Sequence, residues 1–269
     1  MAADERPDTA FVGSVPDVYE RLMVPLIFEE PARYLAAAVT ALRPDDVLET
    51  AAGTGVVTRS LEPGVRRLVA TDLNEPMVRA AERLLPSPKV SWQVADAQDL
   101  PFADGEFDAV VCQFGVMFFP DRARAFREAA RVLRPGGAYV FSVWDRIATS
   151  GVADVVTEAL RAAGPEGPVD FLARTPHGHH DTGLLTHELE QAGFAAVEVE
   201  AIEGTSRCTA EIGATAYCQG TPLSAEIAAH PTLDVARATE IATAALRERY
   251  GDGEFDAPTR WFQLLARSG

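Results

Sequence analysis

Glu49, Asp72, Asp96 and Gln113 follow one another at intervals of 23, 24 and 17 residues, each at the carboxyl end of a short apolar run. Ionised carboxylates only accept hydrogen bonds, so a row of them suits a ligand rich in N–H and O–H donors. Glu49 itself lies in VLETAAGTGVVTRSL, in which Gly53 and Gly55 lead from a strand straight into a helix. Glycines let the backbone turn tightly and approach a ligand, and the helix start offers unpaired N–H groups. Taken alone, that pair of glycines is a weak signal, because a plain structural turn joining strand to helix also uses glycines. Asp72, in VATDLNEP, adds context, because a carboxylate there can accept both hydroxyls of a ribose. The competing role is a cap, from Asp72 or Asn74, on the helix that follows. Asp96 can accept from the exocyclic amine of adenine while the Ala97 N–H faces a ring nitrogen; Asp99, Asp104 and Asp108 read as turn and cap residues.

The elements that must position these groups alternate. Strands are expected at Val47 to Thr50, Leu68 to Thr71, Val90 to Val94, Phe107 to Cys112 and Ala138 to Val143, with helices ending at Leu61, spanning Pro76 to Leu85 and spanning Asp121 to Leu133. Such alternation predicts an α/β fold, a doubly wound and mostly parallel sheet with helices on both faces. Upstream, Ser14 and Pro16 open a helix to Leu22 that Pro25 should end, and a second helix runs from near Pro31 to before Pro44. Downstream, a helix from Thr182 to Ala192 ends in Gly193, Val197 and Val199 alternate as a strand, and Thr259 to Ala266 reads as the last strand. The expected organisation is N-terminal helices over the site (1–44), a cofactor-binding core (45–145), a connecting segment with the sixth strand (146–205), a helical cap (206–254) and the final strand (255–269).

Length and charge bound the function. With 269 residues, 47% of them hydrophobic, the chain can bury one large core and carry a substrate-covering extra. A net charge of -16 repels polyphosphates over most of the surface and disfavours nucleic acid as a partner. Cys112, Cys208 and Cys218 are odd in number and lack metal-type spacing, which suits ordinary thiols in a reducing compartment. MAADERPDTA lacks the features of a secretory signal, and no apolar run approaches the ~18 residues of a membrane span, so a cytoplasmic protein without a membrane partner is expected.

Taken in order, ETAAGTG, ATDLNEPM, VADAQDLPFADGEFDAVVCQF and LRPGGAYVFSVW resemble the motifs of the class I S-adenosylmethionine-dependent methyltransferases, close to the group that includes quinone-biosynthesis enzymes. The resemblance covers roughly Asp45 to Trp144, with a weaker echo in LLTHELEQAGFAAVEVE. It implies a seven-stranded Rossmann-like sheet with an antiparallel final strand and a helical cap, S-adenosylmethionine as methyl donor and a small-molecule acceptor. It further implies that Glu49, Ala51 and Gly53, with Gly55 behind them, surround the methionine portion. Asp72 would then hold the ribose, Leu73 and Met77 flank the adenine, Asp96 and Ala97 read its edge, and Gln113 lie near the cofactor backbone; Tyr19 would close over the methionine carboxylate. The family loop usually has glycine at position 51, and alanine is tolerable there if its φ is negative, with a slightly altered contact to the methionine end.

A sulfonium is already an activated leaving group, so orientation of the acceptor and exclusion of water suffice for transfer, and a base is optional. Phe28, Met117, Phe118 and Trp144 could line an acceptor pocket, or pack as core, and His179 is a candidate contact from TPHGHHD. His177, His179 and His180 are candidate bases; the bland reading is an exposed polar loop, and no metal is assigned to it. Ser206 to Tyr250 is helix-rich and reads as a lid. Two other classes compete: a non-catalytic, regulatory relative that keeps the fold, and a dinucleotide-dependent oxidoreductase, disfavoured because the loop lacks the third glycine of G-x-G-x-x-G. The acceptor atom and the oligomeric state are not encoded in these patterns.

Overall fold

The computed structural model describes residues 15–164, 167 and 169–269. Ser14 falls outside them. Among the described residues two compact units emerge: one comprises 29–143, 180–202 and 261–269, the other 15–28, 144–164, 167, 169–179 and 203–260.

The first of these units is built on β1 (Asp46–Glu49), β2 (Arg67–Asp72), β3 (Val90–Val94), β4 (Phe107–Gln113) and β5 (Leu133–Trp144). β1, β2 and β4 carry apolar centres, at 47–48, 68–70 and 109–112, and bury nearly every residue, as strands covered on both faces must. With β6 (Phe194–Cys208) and β7 (Phe255–Ser268) they form a seven-stranded sheet in the order β3-β2-β1-β4-β5-β7-β6, parallel except at its C-terminal strands. β1 pairs in parallel with both β2 and β4, so the strand order reverses there. That reversal opens a crevice at the carboxyl ends, the place where such sheets bind ligands.

Helices α2 (Glu29–Ala41), α3 (Val56–Leu61), α4 (Glu75–Leu84), α5 (Arg122–Val132) and α8 (Thr182–Gln191) belong to the same unit. Asp121 and Asp181 cap α5 and α8 by accepting from Arg124 N and Leu184 N. A bidentate pair joins those two helices, Arg122 Nε and Nη2 donating to Glu188 at 2.5 and 2.7 Å. Asp108 is no turn residue: it lies in β4, accepts from the Asp45 and Asp46 amides at 3.0 and 2.8 Å, and pairs with Arg134.

The other unit contains α1 (Val15–Val18), α6 (Gly151–Ala163), the short α7 (Phe171–Arg174), α9 (Ala210–Gln219), α10 (Leu223–Ala228) and α11 (Val235–Tyr250). α11 packs on α6 and α9 through Ala238, Ala242 and Leu246, which recur every four residues on one face. Pro25 does not end its helix. The backbone continues as a π-helical stretch, Tyr19–Phe28, and then as α2. Proline has no N–H to give to an i−4 carbonyl, and the wider turn takes up that local mismatch.

Two further expectations are corrected: the sixth strand is far longer than Val197 and Val199 and takes in Ser206, and the segment after β5 carries a full helix, α6. The long C-terminal strands alternate buried and exposed residues along much of their length, and the polar members hide the strand signal.

Candidate cofactor and acceptor site

β1 delivers Glu49 beside Ala70 of β2 and Val111 of β4, so Asp72 and Gln113 each stand two residues beyond a partner of Glu49. Asp72 itself pairs with Val94, and the next amide, Ala95 N, donates to the Asp72 carbonyl at 3.1 Å. Register therefore brings the ends of β1, β2, β3 and β4 to one edge, with Asp96 following directly.

The turn after Glu49 is pinned on both sides. Thr50 N donates to Val111 O and Ala52 N to Thr71 O, both at 2.9 Å, and Thr71 Oγ1 donates to Glu49 O at 3.0 Å. Gly53 and Gly55 have φ of 56° and 84°, in the left-handed region glycine tolerates. Ala51 joins them with φ 53°, so the condition of a negative φ fails there. The bonds of Thr50 and Ala52 to different strands fix the peptide planes around Ala51, and the alanine carries the resulting strain. Gly55 has a packing reason of its own: a Cβ on it would meet Trp92 Cη2 at 2.7 Å.

Glu49 is 1% exposed, and its Oε2 accepts from Thr58 Oγ1 at 2.6 Å. Burial pushes its carboxyl up to about 8, opposed by the Thr58 hydrogen bond and by Arg59 and reinforced by Asp72. The Asp72 carboxyl is likewise raised by burial, against hydrogen bonds from Asn74 and Gly53. Asp72 Oδ2 accepts from Gly53 N at 2.9 Å and Oδ1 from Asn74 N at 2.8 Å, so one carboxylate ties the glycine turn to the start of α4. Asn74 occupies the N-cap of α4 without a side-chain cap bond. Asp96 is half-buried and accepts from the amide and side chain of Gln98; Ala97 beside it is half-buried too. Leu73 is 54% exposed next to Asp72, whereas Met77 is buried on α4. Gln113 is half-buried and pairs with Ser142 of β5.

These features fit an adenosyl sulfonium. Once ionised, the two carboxylates only accept hydrogen bonds and match an ammonium and a pair of ribose hydroxyls, and an exposed leucine offers a face to a purine. Thr54 Oγ1, buried in the same turn, has no hydrogen-bond partner among the described residues, which leaves polar capacity at the loop.

Of the expected acceptor residues, Met117 is buried and Phe118 half-buried just past β4. Tyr19, Phe28, Trp144 and His179 lie in the other unit. There Tyr19 stacks on Phe28 at 5.0 Å, and Phe28 lies 6.4 Å from Trp144, the last residue of β5. His179 and His180 are half-exposed, but His177 is buried, so the exposed-loop reading of TPHGHHD fails for its first histidine. Polar neighbours in the sequence masked it; the apolar FLA before it is the signal that was there to find. The three cysteines are free and buried. Among the described residues no helix is long and apolar enough to cross a membrane.

Residues 48–141 match the methyltransferase domain family. The chain is 35% identical over 170 residues to a demethylmenaquinone methyltransferase of Mycobacterium marinum, an alignment covering 60% of this chain and 71% of that one. It is 38% identical over 170 residues to the enzyme of the same name from Corynebacterium urealyticum, covering 60% and 72%. A solved putative methyltransferase from Bacillus halodurans shares the fold with a TM-score of 0.58 at 22% identity, over 87% of this chain and 97% of that one.

Proposed function

The chain belongs to the class I S-adenosylmethionine-dependent methyltransferases, and we propose that its acceptor is a small, flat, apolar molecule of the quinol kind. The relatives named above support this class of acceptor through their printed activity on demethylmenaquinone. So does the row of aromatic rings Tyr19, Phe28 and Trp144, whose faces suit a planar ring.

The observation that carries the reading of the cofactor site is the shared edge of Glu49 and Asp72, with Gly53 N bound to Asp72 between them. Glu49 would accept from the methionine ammonium beside Ala51 and Gly53, Asp72 from the ribose hydroxyls, and Asp96 from the adenine amine with Ala97 N–H on the ring. Leu73 and Met77 would flank the purine, and Gln113 would face the chain that joins it to the sulfonium. S-Adenosylmethionine supplies a methyl group on a positively charged sulfur, which leaves as a neutral thioether. The remaining work falls to the protein: holding the acceptor in line and keeping water out, worth up to about 7 to 11 kcal/mol of the barrier.

The test is release of S-adenosylhomocysteine in the presence of naphthoquinols, phenols, amines and carboxylic acids. Turnover on quinols or phenols is expected. Turnover confined to amines or acids overturns the acceptor class, and no turnover alongside tight S-adenosylhomocysteine binding favours a regulatory relative.

A further inference from the structure

We propose that Gln98 is a positioning residue that sets the preference for the adenine base: anchored on the start of α5, its side-chain amide holds the Asp96 carboxylate so that one oxygen keeps room for an exocyclic amine. This rests on the S-adenosylmethionine reading above and names the residue that makes its base contact selective.

Gln98 is half-buried and bonded at both ends of its amide. Its Oε1 accepts from Asp121 N at 2.7 Å, and its Nε2 lies 3.1 and 3.2 Å from the two Asp96 carboxylate oxygens. A backbone N–H only donates, so the atom facing Asp121 N is the amide oxygen, and the NH2 is thereby turned onto Asp96. Of the two ways round that a side-chain amide can sit, only this one pairs donor with acceptor at both ends.

The anchor is itself fixed. Asp121 caps α5, its Oδ1 accepting from Arg124 N at 2.9 Å. A second link runs from Arg124 Nη2 to Asp99 Oδ1 at 3.3 Å, but both side chains are exposed, and pairs of that kind contribute little. The Gln98 bridge is shorter and better covered, so it governs where the Asp96 carboxylate points.

Counting acceptor positions narrows what binds there. An ionised carboxylate has about four, shared equally by its oxygens. Gln98 N at 2.8 Å and Gln98 Nε2 fill those of Oδ1, and Nε2 takes one on Oδ2. The remaining position on Oδ2 suits a single donor, such as the exocyclic amine of adenine. Hypoxanthine would set its carbonyl oxygen against Oδ2, acceptor on acceptor, and its ring N–H against the Ala97 N–H, donor on donor.

Asp72 gives the internal comparison. Asn74 stands at the same spacing and donates through N at 2.8 Å and Nδ2 at 3.3 Å, but both bonds go to Oδ1. The shorter side chain leaves Oδ2 to Gly53 N. The extra methylene of glutamine lets the Gln98 amide reach both Asp96 oxygens and anchor on another element.

The experiment measures dissociation constants by calorimetry for S-adenosylhomocysteine, S-inosylhomocysteine and S-ribosylhomocysteine, which share the homocysteine arm and differ in the base. The proteins are the full chain, Gln98→Leu and Gln98→Glu. Leucine removes both ends of the bridge. Glutamate keeps the acceptor for Asp121 N and puts an oxygen where the NH2 faced Asp96. Wild type is expected to prefer the adenine compound over the hypoxanthine one by about 10- to 100-fold, the worth of a hydrogen bond to a charged group. Both variants are expected to lower that preference about tenfold, through weaker binding of S-adenosylhomocysteine, and to bind S-ribosylhomocysteine within about twofold of wild type. A merely structural role would weaken all three ligands together.

Where neither variant folds, the Gln98 side-chain NH2 signals of the wild type are followed by NMR, and a shift with S-adenosylhomocysteine that S-ribosylhomocysteine does not produce is expected. An unchanged preference in both variants, an equal loss for all three ligands, or NH2 signals that respond alike to both compounds overturns the role of Gln98 and leaves the cofactor site standing. Wild type that binds the three ligands alike removes base reading from Asp96, and this proposal with it. Wild type that binds none of them sinks the S-adenosylmethionine reading itself.

Discussion

Ala51 and Gly115 approach so closely that only one of them has room for a methyl group: a Cβ on Gly115 would lie 2.5 Å from the Ala51 Cβ and 2.6 Å from Cys112 Sγ. Gly115→Ala is therefore expected to destabilise by about 1 to 3 kcal/mol through overpacking. Ala51→Gly removes an alanine from a left-handed conformation, worth about 1 to 2 kcal/mol, and restores unfolded-chain entropy worth somewhat less, for a net gain of about 0.5 to 1 kcal/mol. The double variant clears one of the two collisions, so it is expected to be non-additive and partly rescued. Denaturant unfolding of the four proteins measures this; strict additivity would show that the two loops do not bear on each other.

Gly55 gives a prediction of a different kind, because its φ of 84° and the Trp92 ring both exclude a side chain. Gly55→Ala is expected to lower stability by about 2 kcal/mol or more, from left-handed strain plus displacement of the indole. If Gly55 acts through packing, the folded fraction should bind S-adenosylhomocysteine with little change. Calorimetric titration below the unfolding midpoint separates the two roles, and a large affinity loss in fully folded protein would assign Gly55 to the cofactor directly.

The sheet core was legible because each of β1, β2 and β4 is an apolar run closed by a polar residue, a pattern that buried parallel strands impose on sequence. Glu49, Asp72 and Gln113 share an edge for the same reason. What stayed hidden depends on distant partners. The φ of Ala51 is set by the bonds of Thr50 to β4 and Ala52 to β2, which no local pattern encodes. Pro25 reads locally as a stop, and the continuation through a π-helical stretch is a tertiary outcome. His177 is surrounded in sequence by polar residues, while its burial comes from Trp144 and Asp145 more than thirty residues earlier.

Asp72 combines two duties, holding the Gly53 amide and facing the proposed ribose. Asp72→Ala is expected to raise the dissociation constant for S-adenosylhomocysteine by one to two orders of magnitude, the worth of about 1.5 to 3 kcal/mol for a hydrogen bond to a charged group. Asp72→Asn keeps one acceptor oxygen for Asn74 or Gly53, so its stability should lie nearer wild type while its affinity still falls. Calorimetry on both variants, with thermal unfolding as the control, checks this. An unchanged constant in folded Asp72→Asn means that the ribose hydroxyls are held elsewhere.

Glu49 ties affinity to pH. Its carboxyl is raised to about 8 by burial, above the ordinary value of 4.5 that applies when the chain is unfolded. The folded, ligand-free protein therefore holds this proton more tightly than the unfolded chain, and stability from this group is full below pH 4.5 and lost as pH rises through about 8. A bound ammonium reverses the preference, because it favours the ionised carboxylate. Binding must then expel the proton at neutral pH, and the dissociation constant for S-adenosylhomocysteine is expected to rise by up to about tenfold per pH unit on going down from 8. Glu49→Gln should flatten that slope, weaken binding most at high pH, and make the ligand-free protein more stable than wild type above pH 8. Titration in buffers of different ionisation enthalpy counts the released proton. If none is released near pH 7 and both proteins show the same slope, Glu49 does not meet the ammonium.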